Sequence, residues 1–202
     1  MSSILLLTSS PRAESLSTTI ATDLAGKLQA QKAGSAIVRR DLTVLPHIDD
    51  LFTAAIRKPA DARSAEEAAA VKTSDELVNE LLAADTIVIG TGLINFNIYS
   101  SLKTWIDNVA RAGLTFKYTE NGPVGLATGK KVYVVLASGG VYSQGPAAAM
   151  NHAVPYLKSV LGFLGITEVE TIYVEGLAYG PEAAEKAIGA AKARAEEIAL
   201  AA

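Results

Sequence analysis

Three short stretches hold the side chains best placed to do chemistry in this 202-residue chain. The first, "TSSPRAESLS" (residues 8–17), carries the hydroxyls of Thr8, Ser9, Ser10, Ser15 and Ser17 just before a helical pattern. N–H groups at a helix N-terminus carry partial positive charge and lack internal partners, so hydroxyls beside them suit a phosphate. Arg12 either adds charge there or faces water, and Ser15 or Ser17 could instead simply cap the helix. The second stretch, "GTGLINFN" (90–97), has two glycines of a dinucleotide fingerprint but Asn95 in place of the third. That fingerprint should follow the first strand, with an acid about twenty residues on, and neither condition holds. Leu93, Ile94 and Phe96 would block a pyrophosphate but suit the flank of a planar aromatic ring. Asn95 can donate and accept in that ring's plane. The alternative is that Leu93 and Phe96 are ordinary core. The third stretch, "ASGGVYSQGP" (137–146), offers Ser138 and the open backbone of Gly139 and Gly140 to a flat ring, unless it is a plain turn. Together, a phosphate cradle and two ring-embracing loops describe a mononucleotide with a large planar head. FMN fits that description better than a dinucleotide.

These loops must be held by regular elements. "ILLL" (4–7) reads as a buried strand, and Ile20, Leu24 and Leu28 then recur at helical spacing. Residues 35–42 read as a second, weaker strand, and 46–63 as irregular. Ser64 and Glu67 form a capping-box pattern opening a helix to about Ala84, with Val71, Val78 and Leu82 facing inward. Residues 85–90 read as the third strand. Leu102, Ile106 and Val109 then form a helical stripe, with Trp105 one position off it. Residues 110–129 read as a long polar loop with a turn at Asn121-Gly122. "KVYVVLAS" is the fourth strand, an alanine-rich helix carrying Pro155 follows, residues 168–176 are the fifth strand, and a closing helix starts near Pro181.

Five βα repeats imply a parallel sheet between two helix layers. Five strands favour a doubly wound, flavodoxin-like order 2-1-3-4-5 in one domain spanning residues 1–202. Ligands then bind at the strands' carboxyl ends, where the order reverses between strands 1 and 3. All three chemical stretches lie there.

Composition removes other classes. The chain has no cysteine, which excludes disulfides, thiolate chemistry and cysteine-ligated metals. A net charge of −3 without a basic stripe argues against nucleic acid. No apolar run approaches the roughly 20 residues that cross a bilayer, and the first residues lack a signal-peptide pattern. The expectation is a cytoplasmic protein. "GLATGKK" (125–131) imitates a P-loop, but it has three residues between its glycines and precedes a strand. His47 and His152 form no metal-binding pattern.

Over nearly its whole length the chain resembles the FMN-dependent NADH:quinone oxidoreductases, also called FMN-dependent NADH-azoreductases. The resemblance is carried by "NFNI", "ARAGLTFKYTENGPVGLATGKK", "GPAAAMNHAVPYLKSVLGFLGIT" and "EGLAYGPEAAEKA". It implies tightly bound FMN, NADH or NADPH as donor, quinones or azo compounds as acceptors, and a homodimer with FMN at the subunit interface. It would place phosphate contacts on Ser10, Ser15, Leu16 and Ser17. Ring contacts would fall on Leu93, Ile94, Asn95 and Phe96, and on Ala137, Ser138, Gly139 and Gly140. Phe116 and Tyr118 would come over the flavin, with Phe163 as a further pocket wall. The family usually has Pro-Met-Tyr-Asn-Phe where this chain has Gly92-Leu93-Ile94-Asn95-Phe96, and often Arg or a similar polar residue at Ser138. Two-electron transfer with donor and acceptor alternating on one flavin face is the expected reaction. A flavodoxin-like electron carrier that does not oxidise NADH is the other reading.

Overall fold

The apolar runs become strands because both of their faces are covered. A computed structural model describes residues 3–202. In chain order the elements are β1 (Ser3–Thr8), α1 (Leu16–Gln31), β2 (Ala36–Asp41), α2 (Asp50–Ala55), α3 (Ala65–Ala83) and β3 (Thr86–Gly92). There follow α4 (Ser100–Val109), β4 (Phe116–Thr119), β5 (Gly122–Gly125), β6 (Lys131–Ala137), α5 (Ala153–Phe163), β7 (Glu168–Val174) and α6 (Pro181–Leu200).

Five strands pair in parallel in the order β2-β1-β3-β6-β7, while β4 and β5 form a separate two-stranded ribbon. This order is compatible with the expected one once the ribbon strands are passed over in the count. Successive side chains point to opposite faces, and the core divides accordingly. Leu5, Leu7, Ile87, Ile89, Val132 and Val134 pack with α3, α4 and α5 on one face. Ile4, Leu6, Val88, Tyr133 and Val135 pack with α1 and α6 on the other. The edge strand β2 is mostly exposed and carries Arg39 and Arg40, charges that discourage pairing with another chain.

Several expectations change in the structure. Residues 46–63 are not wholly irregular, since Asp49 accepts from the Phe52 N–H at 2.8 Å and starts α2. Leu82 is 38% exposed, whereas Leu77 and Leu81 are buried beside Val71 and Val78. The inward stripe of α3 is therefore set about one position earlier than Leu82 suggests. Trp105 is fully buried and belongs to the core. The 110–129 segment folds back on itself as the β4–β5 hairpin, its turn at the marked Asn121-Gly122. Finally, β3 runs on through Gly90, Thr91 and Gly92, because β6 continues to pair with it as far as Ala137.

The Ser64–Glu67 capping box forms as expected: the Glu67 N–H donates to Ser64 Oγ at 3.2 Å and the Ser64 N–H to the Glu67 carboxylate at 2.9 Å. A hydrogen bond from Lys58, with help from the Ser64 N–H, holds the Glu67 carboxyl below its ordinary value of 4.5. Its stabilisation is therefore fully present above that value and is lost as pH falls through the lower, folded value. Glu67→Gln is predicted to flatten the fall in urea-unfolding midpoint on acidification below about pH 4.5. An acid limb as steep as that of the unaltered chain would contradict this.

Candidate functional site

The strands' carboxyl ends open into a cleft of about 440 Å³, within the usual range for small-molecule sites. Its near wall is the start of α1. Ser15 is the capping residue, and its Oγ accepts from the Thr18 N–H at 3.2 Å. The Ser15 carbonyl accepts from Thr19 at 2.9 Å. The N–H groups of Leu16 and Ser17 belong to the first turn, where no intrahelical acceptor exists, and both residues line the cleft. Ser15 thus caps the helix and lines the cleft at once. Ser10 and Arg12 complete this wall, together with Glu14, an acid beside the proposed anion site. Arg12 and Glu14 are exposed, so water screens both.

The position of α1 is set by a close approach to β3. A Cβ on Gly90 would lie 2.8 Å from the Ser17 carbonyl oxygen and 3.0 Å from the Ala21 methyl. The first glycine of "GTG" therefore admits a helix and does not wrap a pyrophosphate. Ser9 ties β1 to β3 alongside it, donating from its N–H to the Gly90 carbonyl at 3.1 Å and from its hydroxyl to Thr91 at 2.9 Å. The Ser101 hydroxyl at the start of α4 donates to the Ser9 carbonyl at 2.7 Å.

The far wall comes from the segments after β3, β6 and β7. The Leu93 N–H donates to the Ala137 carbonyl at 2.8 Å, so Leu93 and Ala137 meet at the cleft with Ile94, Ser138 and Gly139. The Ser138 hydroxyl turns inward to the Gly140 carbonyl at 2.8 Å, which leaves backbone to face a ligand. The loop after β7 zips onto this segment: Ala178 donates to Gly139 at 2.9 Å and Gly176 to Gly140 at 3.0 Å. Glu175 accepts from the Tyr142 and Ser143 N–H groups at 2.7 and 3.0 Å and pins the segment.

Nine of the twelve expected cofactor contacts therefore meet in one cleft: Ser10, Ser15, Leu16, Ser17, Leu93, Ile94, Ala137, Ser138 and Gly139. Asn95, Phe96 and Gly140 stand outside its lining. Asn95 and Phe96 are the two central residues of a tight turn closed by mutual Ile94 and Asn97 hydrogen bonds at 2.8 and 3.0 Å. Their φ angles are 46° and 68°, as a type I′ turn requires. Phe116, Tyr118 and Phe163 also lie outside the cleft lining and form their own cluster. The ring centroids of Phe116 lie 5.5 Å from Tyr118 and 4.5 Å from Phe163.

Sequence reasoning missed Tyr99, Leu177 and Ala178, all of which line the cleft. The rule that sites form at strand carboxyl ends applies equally to β7, and "GLAYGP" was the available signal for the latter two. The P-loop imitation is resolved by position: Lys130 precedes β6, at the sheet's other end, and donates to the Leu82 and Ala84 carbonyls at 2.8 and 2.7 Å. His47 Nδ1 lies 2.8 Å from the Thr104 hydroxyl. Among the described residues there is no cluster fit for a metal ion and no helix long and apolar enough to cross a membrane.

Comparison with known proteins agrees with this fold. The sequence profile of a family described by its flavodoxin-like fold matches residues 2–199. An FMN-dependent NADH:quinone oxidoreductase of Rhizobium etli is 86% identical over the full length of both chains. The crystal structure of an azoreductase from Bacillus anthracis superposes with a TM-score of 0.90 at 36% identity, covering 98% of this chain and 99% of that one. An FMN-dependent NADH-azoreductase of the same species, solved in complex with FMN, superposes at 0.87 with 29% identity over 98% and 100% of the two chains.

Because the start of α1 rests on Gly90, Gly90→Ala is predicted to cost about 1–3 kcal/mol by overpacking, read as a lower urea midpoint. An unchanged midpoint would mean that the contact is not tight.

Proposed function

This chain belongs to the flavodoxin-like family of the FMN-dependent NADH:quinone oxidoreductases, and from that premise we propose that it passes two electrons from NADH, through FMN, to quinones and aromatic azo compounds. The observation that carries the reading is the cleft itself, with hydroxyls and helix N–H groups at one end and apolar side chains and open backbone at the other. In this reading the sheet is doubly wound in the order 2-1-3-4-5, and residues 1–202 act as one domain.

When bound, FMN supplies the hydride and electron chemistry, and the protein supplies position and electrostatics. Ser10, Ser15, Leu16 and Ser17 would hold the phosphate with hydroxyls and N–H groups. The helix dipole at α1 adds favourable charge, worth about 0.3–1 kcal/mol at an exposed terminus. Leu93, Ile94, Ala137 and Gly139 would take the ring, with Asn95, Phe96 and Gly140 at its outer edge. The central N–H groups of the Asn95-Phe96 turn are not used by its closing hydrogen bonds, so they are available to a ring heteroatom. Ser138 keeps the Gly139 backbone in place through its bond to Gly140. A cleft closed on one side by the sheet leaves one face for visitors. Donor and acceptor then take turns, giving ping-pong kinetics.

Phe116, Tyr118 and Phe163 do not line the cleft of their own chain. We therefore place them over the cleft of a second copy, in a homodimer. Tyr118 is 74% exposed, and Ile94 and Phe96 beside the cleft are 43% and 39% exposed, which is apolar surface suited to a partner. The reading includes a cytoplasmic location, where its donor NADH circulates.

Two measurements test these proposals. The FMN-loaded protein should lose its yellow colour on anaerobic addition of NADH and regain it with benzoquinone or an azo dye. Colour that persists with NADH would favour an electron carrier. Sedimentation equilibrium at micromolar concentration should give twice the 21.0 kDa chain mass, and a single-chain mass would contradict the dimer.

A further inference from the structure

The middle of the cleft is covered by a side chain that none of the three chemical stretches supplies. Strand β3 lies between β1 and β6. Its tip, Gly92, is opposite Ala137 of β6, and two residues earlier the Gly90 carbonyl accepts from Ser9 just beyond β1. A ligand that reaches from the serine wall to Ala137 must therefore cross the tip of β3. What it meets there is Tyr99. Gly92 and Tyr99 both line the cleft. A Cβ on Gly92 would fall 2.9 Å from Tyr99 Cε2 and 3.1 Å from its hydroxyl oxygen. The missing side chain at Gly92 is the space in which the tyrosine ring lies.

Tyr99 is also an unusual residue for its place. It is the capping residue of α4, its carbonyl accepting from Leu102 and Lys103 at 3.1 Å, yet its side chain makes no capping hydrogen bond. Ser, Thr, Asp or Asn at such a position stabilises a helix by about 1 kcal/mol. A residue that breaks a local rule without a local gain points to another use. Here the half-buried ring folds back over the strand tip. The helix that carries it is fixed by the Ser101–Ser9 hydrogen bond, so the ring is presented from a rigid base.

We propose that Tyr99 is a ligand-positioning residue: its ring, seated on Gly92, supports the sugar-alcohol middle of FMN, and its hydroxyl is the polar partner of that segment. This rests on the FMN reading above and assigns the part of the ligand that neither the phosphate wall nor the ring wall reaches. A phenol combines an apolar face with one group that donates and accepts, which matches a chain of alternating CH and OH groups. Gly92 then serves the ligand indirectly, by making room for the ring.

The test is a fluorescence titration of apo-protein with FMN and with riboflavin, which has the same middle but no phosphate. Tyr99→Phe should raise Kd for both flavins by the same factor, about five, as expected for one lost hydrogen bond, with the melting temperature of the apo-protein unchanged. Tyr99→Ala should raise both by about tenfold or more. Gly92→Ala should weaken binding in the unaltered chain but add nothing in the Tyr99→Ala background, since the two act as one unit. Wild-type Kd values for both flavins in Tyr99→Phe and Tyr99→Ala would overturn the assignment. A loss confined to FMN would do the same, by moving the residue to the phosphate. Failure of the unaltered chain to bind either flavin would instead overturn the FMN reading on which the assignment rests.

Discussion

The absence of a side chain at Gly90 is the constraint from which the site is built. A helix cannot lie 2.8 Å from a β-carbon, so only glycine lets the Ser17 turn of α1 rest on β3. That contact brings the positive end of α1 to the gap between β1 and β3, and Ser9 stitches the two strands together beneath it. Leu16 and Ser17, whose N–H groups have no intrahelical acceptor, then line the cleft. Every later feature is measured from this wall. The ring-side residues lie at the ends of β3 and its neighbour β6, where the Leu93–Ala137 hydrogen bond ends the β3–β6 ladder.

The far wall is held differently. Its backbone is unusual, because Asn95 and Phe96 have consecutive positive φ angles of 46° and 68°. Non-glycine residues in that region cost roughly 1–2 kcal/mol each. Partners around the turn offset the cost: the His152 N–H donates to the Phe96 carbonyl at 2.9 Å, and the Phe96 ring meets Tyr142 edge-on at 6.1 Å. Tyr142 is in turn fixed by Glu175 at 2.7 Å and by Asn151 at 3.3 Å. The turn, the segment after β6 and the loop after β7 thus form one interlocked rim. A strained turn sustained by its surroundings is characteristic of binding sites.

Much of this was legible in the sequence. Continuous apolar runs can be buried only in a sheet covered on both faces, so the five parallel strands followed from "ILLL", "DTIVI" and their counterparts. The strand-end rule then selected three loops that the structure brings together in one cleft. The near wall was read almost residue by residue, because helix N-termini have local chemical signatures in Ser10, Ser15 and Ser17. What escaped was non-local. Nothing near Gly90 or Gly92 in the sequence shows that one makes room for a helix about 70 residues earlier in the chain and the other for a ring seven residues later. The β4–β5 hairpin was hidden in a polar stretch because its strands are short and, apart from Phe116, exposed or nearly so. Leu82 was misassigned because residues at neighbouring positions of α3 compete for one stripe, and only packing against α4 and the sheet decides between them.

All of these elements converge on where one ligand lies, and diffraction from crystals of the FMN-loaded protein asks that directly. The account predicts density for a phosphate within hydrogen-bond distance of the Ser10 and Ser15 hydroxyls and the Leu16 and Ser17 N–H groups, with the flavin ring against Leu93 and Gly139. Flavin density in any other part of the molecule, or a cleft that remains filled by the protein's own side chains at saturating FMN, would contradict it.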